Sequence, residues 1–204
     1  MFDIDIDFAD RTHALKYFDY IPAAIKDQNT FKKHNTGVYF QNIPFNPVTG
    51  LSTIDYKEAA KRGYFKIDFL NVSIYQDVKN EDHLIKLMNT EPIWELLEQQ
   101  EFVDLLFHVN GHSNILKIMK PKSIEQLAAV LAMIRPAKRH LIGKDWPTVL
   151  AEVWQIDQNE TKYAFKRSHS FSYAMAVVVH MNLICEKIDE QIRQLENCVI
   201  DNCE

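Results

Sequence analysis

The sequence predicts an α+β chain in which a small mixed β-sheet, within residues 1–80, precedes a helical region over 81–204. Two observations predict it. Residues 1–8, Met-Phe-Asp-Ile-Asp-Ile-Asp-Phe, alternate polar and apolar with the period of a strand, and Lys66-Ile67-Asp68-Phe69-Leu70 repeats the pattern. From Asp82 onward, apolar residues recur at helical spacing between capping and turn residues. No internal repeat or low-complexity linker interrupts the 204 residues, and an apolar content of 47% is ample for a packed core.

Each element follows from its local pattern. In the first strand Asp3, Asp5 and Asp7 share one face, and Phe2, Ile4, Ile6 and Phe8 share the other. Over 9–26, Ala14, Leu15, Phe18, Ile21 and Ile25 stand at helical spacing with Pro22 among them, so a short helix with a break is expected. A basic knot, Phe31-Lys32-Lys33-His34, then leads into a strand at 37–40. Pro44, Pro47 and Gly50 mark a loop, and a short helix at 56–62 should stop at Gly63. In the strand that follows, Lys66 and Asp68 share one face while Phe65, Ile67 and Phe69 share the other. Helices are expected at about 82–89, 92–100, 113–119, 123–134 and 146–155, the fourth capped by Ser123, and a long one from about 172 to 196. Arg135-Pro136 stops the fourth ahead of Lys138-Arg139-His140, the densest basic cluster.

Composition narrows the classes of function. A formal net charge of -5 excludes a general polyanion binder, so any nucleic-acid contact must come from local basic clusters. Cys185, Cys198 and Cys203 match neither zinc nor disulfide spacing, which points to reduced thiols in a cytoplasmic setting. The first residues lack the basic and apolar segments of a secretory signal. The longest apolar run, 174–185, is broken by His180 and Asn182 and reads as a buried helix too short to span a bilayer; no membrane partner is expected.

A row of carboxylates on an apolar backing has a chemical meaning if a neighbouring strand brings Asp68 beside it. Three or four converging carboxylates repel one another unless something positive sits between them, and a pair of Mg²⁺ ions is the natural candidate. Two Asp at i and i+2 on a rigid strand can bridge such a pair, the arrangement used in phosphoryl and nucleotidyl transfer. The same pattern also suits an acidic, solvent-facing edge strand. Lys33 and His34 suit an anionic ligand or a solvated loop, and Lys138-Arg139-His140 a phosphate contact or a solvated turn. His108, His112 and His180 read as core or surface histidines.

Several stretches, in order, resemble one family, the bacterial family C replicative DNA polymerases, which are the alpha subunits of DNA polymerase III. Asp3-Ile4-Asp5-Ile6-Asp7-Phe8 resembles the motif carrying that family's first two metal-binding aspartates. Lys33-His34-Asn35-Thr36-Gly37-Val38 resembles its His-x-x-Gly-Val strand, and Gly63-Tyr64-Phe65-Lys66-Ile67-Asp68-Phe69-Leu70 the strand with the third aspartate. Lys120-Pro121-Lys122-Ser123-Ile124-Glu125 with Leu131-Ala132-Met133-Ile134-Arg135-Pro136 is similar to a fingers segment, and Phe165-Lys166-Arg167-Ser168-His169-Ser170 to its Lys-Ser-His-Ser block.

The resemblance implies a nucleotidyltransferase-like palm over 1–80 and a helical fingers-like region over 81–204. Asp3, Asp5 and Asp68 would be the catalytic carboxylates and metal ligands, holding two Mg²⁺ (or Mn²⁺ as substitute), with Asp7 supporting. Lys66 would contact phosphate or the primer end. Lys33, His34, Arg135, Lys138, Arg139, Lys166, Arg167, Ser168 and His169 would bind nucleoside triphosphate or the DNA backbone, whether primer-template or single strand. His169 also suits the start of the long helix, where Ser168 and Ser170 are competent caps. Departures from the family matter as well. Only a short segment stands between Phe8 and Lys33, where the family carries its thumb, so other replication proteins are implied as partners that supply it. The family's Glu-Ser-Arg-Gly stretch appears as His108-Val109-Asn110-Gly111, Ala137-Lys138-Arg139 replaces its Gly-Pro continuation, and a large block before Phe165 is absent. Three functions follow: a minimal DNA polymerase that adds nucleotides to a 3′-hydroxyl, a catalytically silent module that binds nucleotide, nucleic acid or a replication protein, or one piece of a split polymerase whose missing parts come from another chain.

Overall fold

In the computed structural model, which describes residues 4–28, 30–155 and 167–201, the chain is α+β, with a small mixed sheet and a set of helices. It divides into two units, Met1–Gln76 and Asp77–Glu204.

The first unit holds β1 (Ile4–Phe8), α1 (Arg11–Leu15), β2 (Ile21–Asp27), β3 (Thr30–Tyr39), α2 (Tyr56–Lys61) and β4 (Ile67–Asn71). The four strands run in the order β1-β4-β3-β2, with β1 parallel to β4 and the other neighbours antiparallel. Parallel strands need a crossover, and the whole stretch from α1 to α2 supplies it. Asp10 starts α1 by accepting the Thr12 N–H at 2.8 Å. The Arg11 guanidinium then donates to the carbonyls of Asn35 and Phe69, tying the start of α1 to β3 and β4. Phe8 stacks on Phe69 with ring centroids 4.8 Å apart, and Leu15, Val38 and Phe69 form one small core.

Two expectations fail in this unit. The helix expected over 9–26 ends at Leu15, and residues 21–27 form β2. Ile21 and Ile25 do stand four apart, but Ala23 and Ala24 between them are fully buried in the sheet. Pro22 is tolerated because β2 is an edge strand. Among the described residues the apolar backing of β1 is also incomplete: Phe8 packs, but Ile4 and Ile6 remain 43% and 38% exposed on this other edge of the sheet, and Phe2 lies outside the described residues.

The second unit comprises α3 (Glu81–Asn89), a 3₁₀ turn (Trp94–Glu98), α4 (Gln100–Val103), α5 (Ser113–Met119), α6 (Ile124–Met133), a second 3₁₀ turn (Arg139–Leu141), α7 (Trp146–Glu152) and α8 (Arg167–Asp201). Ser123 caps α6 by accepting the Gln126 N–H at 3.2 Å, while the Gln126 side chain accepts the Lys122 N–H at 2.7 Å. Leu127 to Met133 are all buried, so α6 runs through the core, where Ala174, Val177, Val178 and Met181 of α8 also pack. Among the described residues α8 is the one helix long and apolar enough, by length and composition, to cross a membrane; the run at 174–185 was expected to be too short because it is only the core-facing part of this longer helix. Asn182 accounts for one of its polar interruptions, since its amide donates to the carbonyls of Leu87 and Thr90 and closes the end of α3.

Candidate functional site

Register decides which carboxylates meet. In the parallel pairing of β1 with β4, Asp5 stands opposite Asp68 and Asp7 opposite Leu70, so Asp5 and Asp68 point to the same side of the sheet from adjacent strands. Gly37 of β3 stands opposite Asp68 from the other side. Three strands thus place Asp5, Asp68 and Gly37 in one row, and Lys66, two residues before Asp68, shares their face. Asp5 is half-buried, Asp7 exposed and Asp68 buried. Asp3 lies outside the described residues.

Gly37 is needed for space. A Cβ built there would lie 2.6 Å from Lys66 Cδ and 3.1 Å from His34 Nδ1, so the lysine stem crosses the sheet where any other residue would put its side chain. That path delivers the Lys66 ammonium to Asp68 Oδ2, forming an ion pair whose side chains are only 6% and 12% exposed. The other oxygen, Oδ1, accepts the Thr36 hydroxyl at 2.7 Å. His34 Nδ1 lies 3.7 Å from the same oxygen but accepts the Gly37 N–H at 2.9 Å, so Nδ1 carries a lone pair there and makes no ion pair with Asp68 through that nitrogen. The ring packs edge-on against Tyr56 at 5.1 Å, and Lys66 Nζ lies 6.0 Å from the Tyr56 ring centre.

An irregularity in β3 makes these contacts. Its pairing with β2 jumps from Pro22↔Val38 to Ala24↔Lys33, so β3 carries three more residues than β2 across the step. His34 to Gly37 occupy that bulge, which re-aims side chains that a regular strand would alternate. Nearby, Tyr39 is 1% exposed and its hydroxyl has no partner among the described residues. Burial pushes its phenol up to about 12, helped by the charges of Asp55 and Asp68. Burial also raises Tyr75, with Asp7 adding to it.

Lys33 is exposed on β3. Arg135, Lys138, Arg139, Arg167, Ser168 and His169 belong to the second unit, and Lys166 lies outside the described residues. Lys138 is not a surface cation: it is 7% exposed and donates to the Gln155 carbonyl at 2.7 Å, where the turn after α6 folds against the end of α7. Sequence read it as part of a basic cluster because three adjacent basic residues carry no sign of which one turns inward. Arg139 is exposed and donates to the Ile134 carbonyl at 3.2 Å. Arg135 follows α6, and burial followed by its charge holds His108 and His112 below the usual histidine range. The Arg167 guanidinium lies 5.8 and 5.6 Å from the ring centres of Trp154 and Phe171. Ser168 is exposed and its carbonyl accepts from Ser172, while His169 is half-buried on α8.

Thr36, Gly37 and Tyr56 join the site without having been singled out for it. Thr36 and Gly37 lie inside the stretch that resembles the His-x-x-Gly-Val strand, but their contact with Asp68 depends on a pairing 31 or more residues away in sequence. Among the described residues no three His, Cys, Asp or Glu side chains converge on a single point that could hold a metal ion. Asp5 and Asp68 are two oxygen donors on one face, a donor set that fits a hard cation such as Mg²⁺. No family model matches the chain, and no curated protein matches it.

Proposed function

We propose that the chain is a metal-dependent nucleotidyltransferase, a minimal DNA polymerase of the family C type whose first unit is a reduced palm and whose second is fingers-like. The observation that carries this reading is the placement of Asp5 opposite Asp68 on adjacent strands, with Lys66 paired to Asp68 on the same face. Asp5 and Asp68, with Asp3 by resemblance, would hold Mg²⁺, for which Mn²⁺ could substitute. When bound, the metal supplies Lewis-acid activation of a 3′-hydroxyl and of phosphoryl oxygens.

The chain's own residues have separable tasks. Asp5, half-buried on an edge strand, is the carboxylate reachable from solvent. Thr36 orients Asp68 through Oδ1 while Lys66 holds Oδ2, and a bound phosphate would compete with that oxygen for the ammonium. Lys33, Arg135, Arg139, Arg167 and His169 are the residues proposed to hold triphosphate or DNA backbone. The setting is cytoplasmic, and a replication protein that supplies the missing thumb is the natural partner.

One observation favours a second reading, a catalytically silent nucleotide- or nucleic-acid-binding module: Asp68 is already neutralised by Lys66 within the chain. Incorporation of labelled deoxynucleotides onto a primed template and onto a bare primer, with Mg²⁺ or Mn²⁺, separates the two. We expect incorporation by the wild type, and a loss of about a hundredfold or more in Asp5→Asn with its circular dichroism unchanged. An equal rate in the variant removes Asp5 from the metal site. No incorporation by the wild type, with nucleotide or DNA still bound, supports the silent module.

A further inference from the structure

A second site lies on the far side of α2. Tyr56, at the start of that helix, packs on His34 at the carboxylate face, whereas Lys57, Glu58, Lys61 and Arg62 line a groove of about 740 Å³ against the tip of the β2–β3 hairpin. From the hairpin come Lys26 and Phe31, directly opposite each other in the antiparallel register and therefore on one face of the sheet. Lys33, two residues on from Phe31 and opposite Ala24, shares that face. Phe31 is 40% exposed, an aromatic surface beside two lysines.

The charge in the groove is unbalanced. Its two carboxylates are already engaged: Asp55 accepts the backbone N–H groups of Lys26 and Lys57, each at 2.9 Å. Glu58 pairs with Lys61 at 3.4 Å and with Arg62 at 3.2 Å. Four cations therefore face two carboxylates, and Lys26 and Lys57 are exposed residues on its two walls, the Lys57 ammonium 5.7 Å from the Tyr56 ring centre. A net positive groove with an exposed ring set between lysines suits a flexible polyanion that also carries flat apolar rings, with phosphates on the lysines and a base on Phe31. Duplex suits it less, because its bases are stacked away from such a ring.

We propose that this groove, continued by Lys33 on the same sheet face beyond its lining, binds single-stranded nucleic acid, with Lys26, Lys57 and Lys33 on the phosphates and Phe31 stacking a base. As a source of substrate strand for Asp5 and Asp68, the site rests on the transferase reading above. Binding itself needs neither metal nor chemistry.

The test is fluorescence anisotropy of the full chain with labelled oligo-dT and oligo-rU of about twelve nucleotides, a length within known single-strand site sizes. It is run in EDTA across a salt series, with a duplex of equal length as a further probe. Three phosphate contacts give a slope of log K against log salt of about -2. The double substitution Lys26→Ala/Lys57→Ala should weaken binding at least about tenfold and flatten the slope by about 1.4, and Phe31→Ala should weaken it at least about fivefold with the slope unchanged. These side chains are exposed, and circular dichroism of each variant checks the fold. The dT and rU arms tell DNA from RNA as the source of the strand. Absence of binding by the wild type, equal affinity in the lysine variant, or preference for duplex would each overturn the site. Localised binding without incorporation leaves the groove standing and removes the transferase; incorporation with no effect of these variants on binding does the reverse.

Discussion

Lys66 and Asp68 are worth more to the fold as a pair than either is alone. Both side chains are withdrawn from water, so removing one leaves the other as an uncompensated buried charge, a loss on the order of 3–5 kcal/mol. Asp68→Ala should therefore lower the denaturant midpoint sharply, whereas Lys66→Met/Asp68→Leu, which replaces both charges by apolar groups, should recover most of the difference. If the two single substitutions simply add in the double variant, the pair is not coupled and the contact is incidental. Removal of the Thr36 hydroxyl is a smaller change. Thr36→Val leaves Oδ1 of Asp68 without its donor and should cost about 1–3 kcal/mol by chemical denaturation; a midpoint equal to wild type would show that Oδ1 finds another donor. At this scale the sequence is informative about residue type and nearly silent about partners. Asp5 and Asp68 stand out by alternation alone, but nothing near Thr36 tells that its hydroxyl will meet a carboxylate 32 positions later.

Elements were legible where their signals are local. Ser113–Met119 has the expected bounds, and α6 begins after the expected Ser123 cap, because capping and helical spacing act within a few residues. β2 was not legible, since Ile21 and Ile25 fit a helical period and the strand exists only through its pairing with β3. The bulge at His34 to Gly37 is hidden for the same reason. Asn182 shows the converse, a polar residue in an apolar run that is explained by the element it touches. Its amide closes the carbonyls of Leu87 and Thr90 at the end of α3, so Asn182→Ala should leave the buried Leu87 carbonyl and the half-buried Thr90 bond without their donor and cost about 1–3 kcal/mol. Hydrogen exchange localises that effect. Loss of protection at the end of α3 is expected, and unchanged protection there would show that the other contacts of α3 with α8, Leu87 against Val179 and Leu183 and the pairs of His83 and Lys86 with Glu186, hold that end without Asn182.

For the molecule as a whole, acid should act in two stages with one sign. Burial, first of all, holds His108, His112 and His180 below the usual 6.5, so the folded state resists protonation that the unfolded chain accepts. A depressed folded pKa gives stability that is complete above about pH 6.5 and declines as pH falls below it. Carboxylates follow at lower pH. The Thr12 hydroxyl holds Asp10 below its usual 3.8, the Thr148 backbone N–H does the same for Asp145, and Lys86 holds Glu186 below its usual 4.5. Their contribution is present above those values and lost as pH falls through the folded ones. Denaturant midpoints should thus fall from about pH 7 to pH 5.5 and fall again below about pH 4.5. A flat profile down to pH 5 would show that the histidines are protonated as readily in the fold as outside it.

The position of β1 in the sheet has a consequence in time. Among the described residues its one neighbour there is β4, whose residues lie 63 positions later in the chain, as in Asp5↔Asp68. The hairpin of β2 and β3 can close as soon as it leaves the ribosome, but the strand made first must wait for the strand made last. Half of the carboxylate pair therefore stays unpaired until β4 has followed it, and Asp5 and Asp7, alternating with Ile4 and Ile6, put charge on that waiting segment.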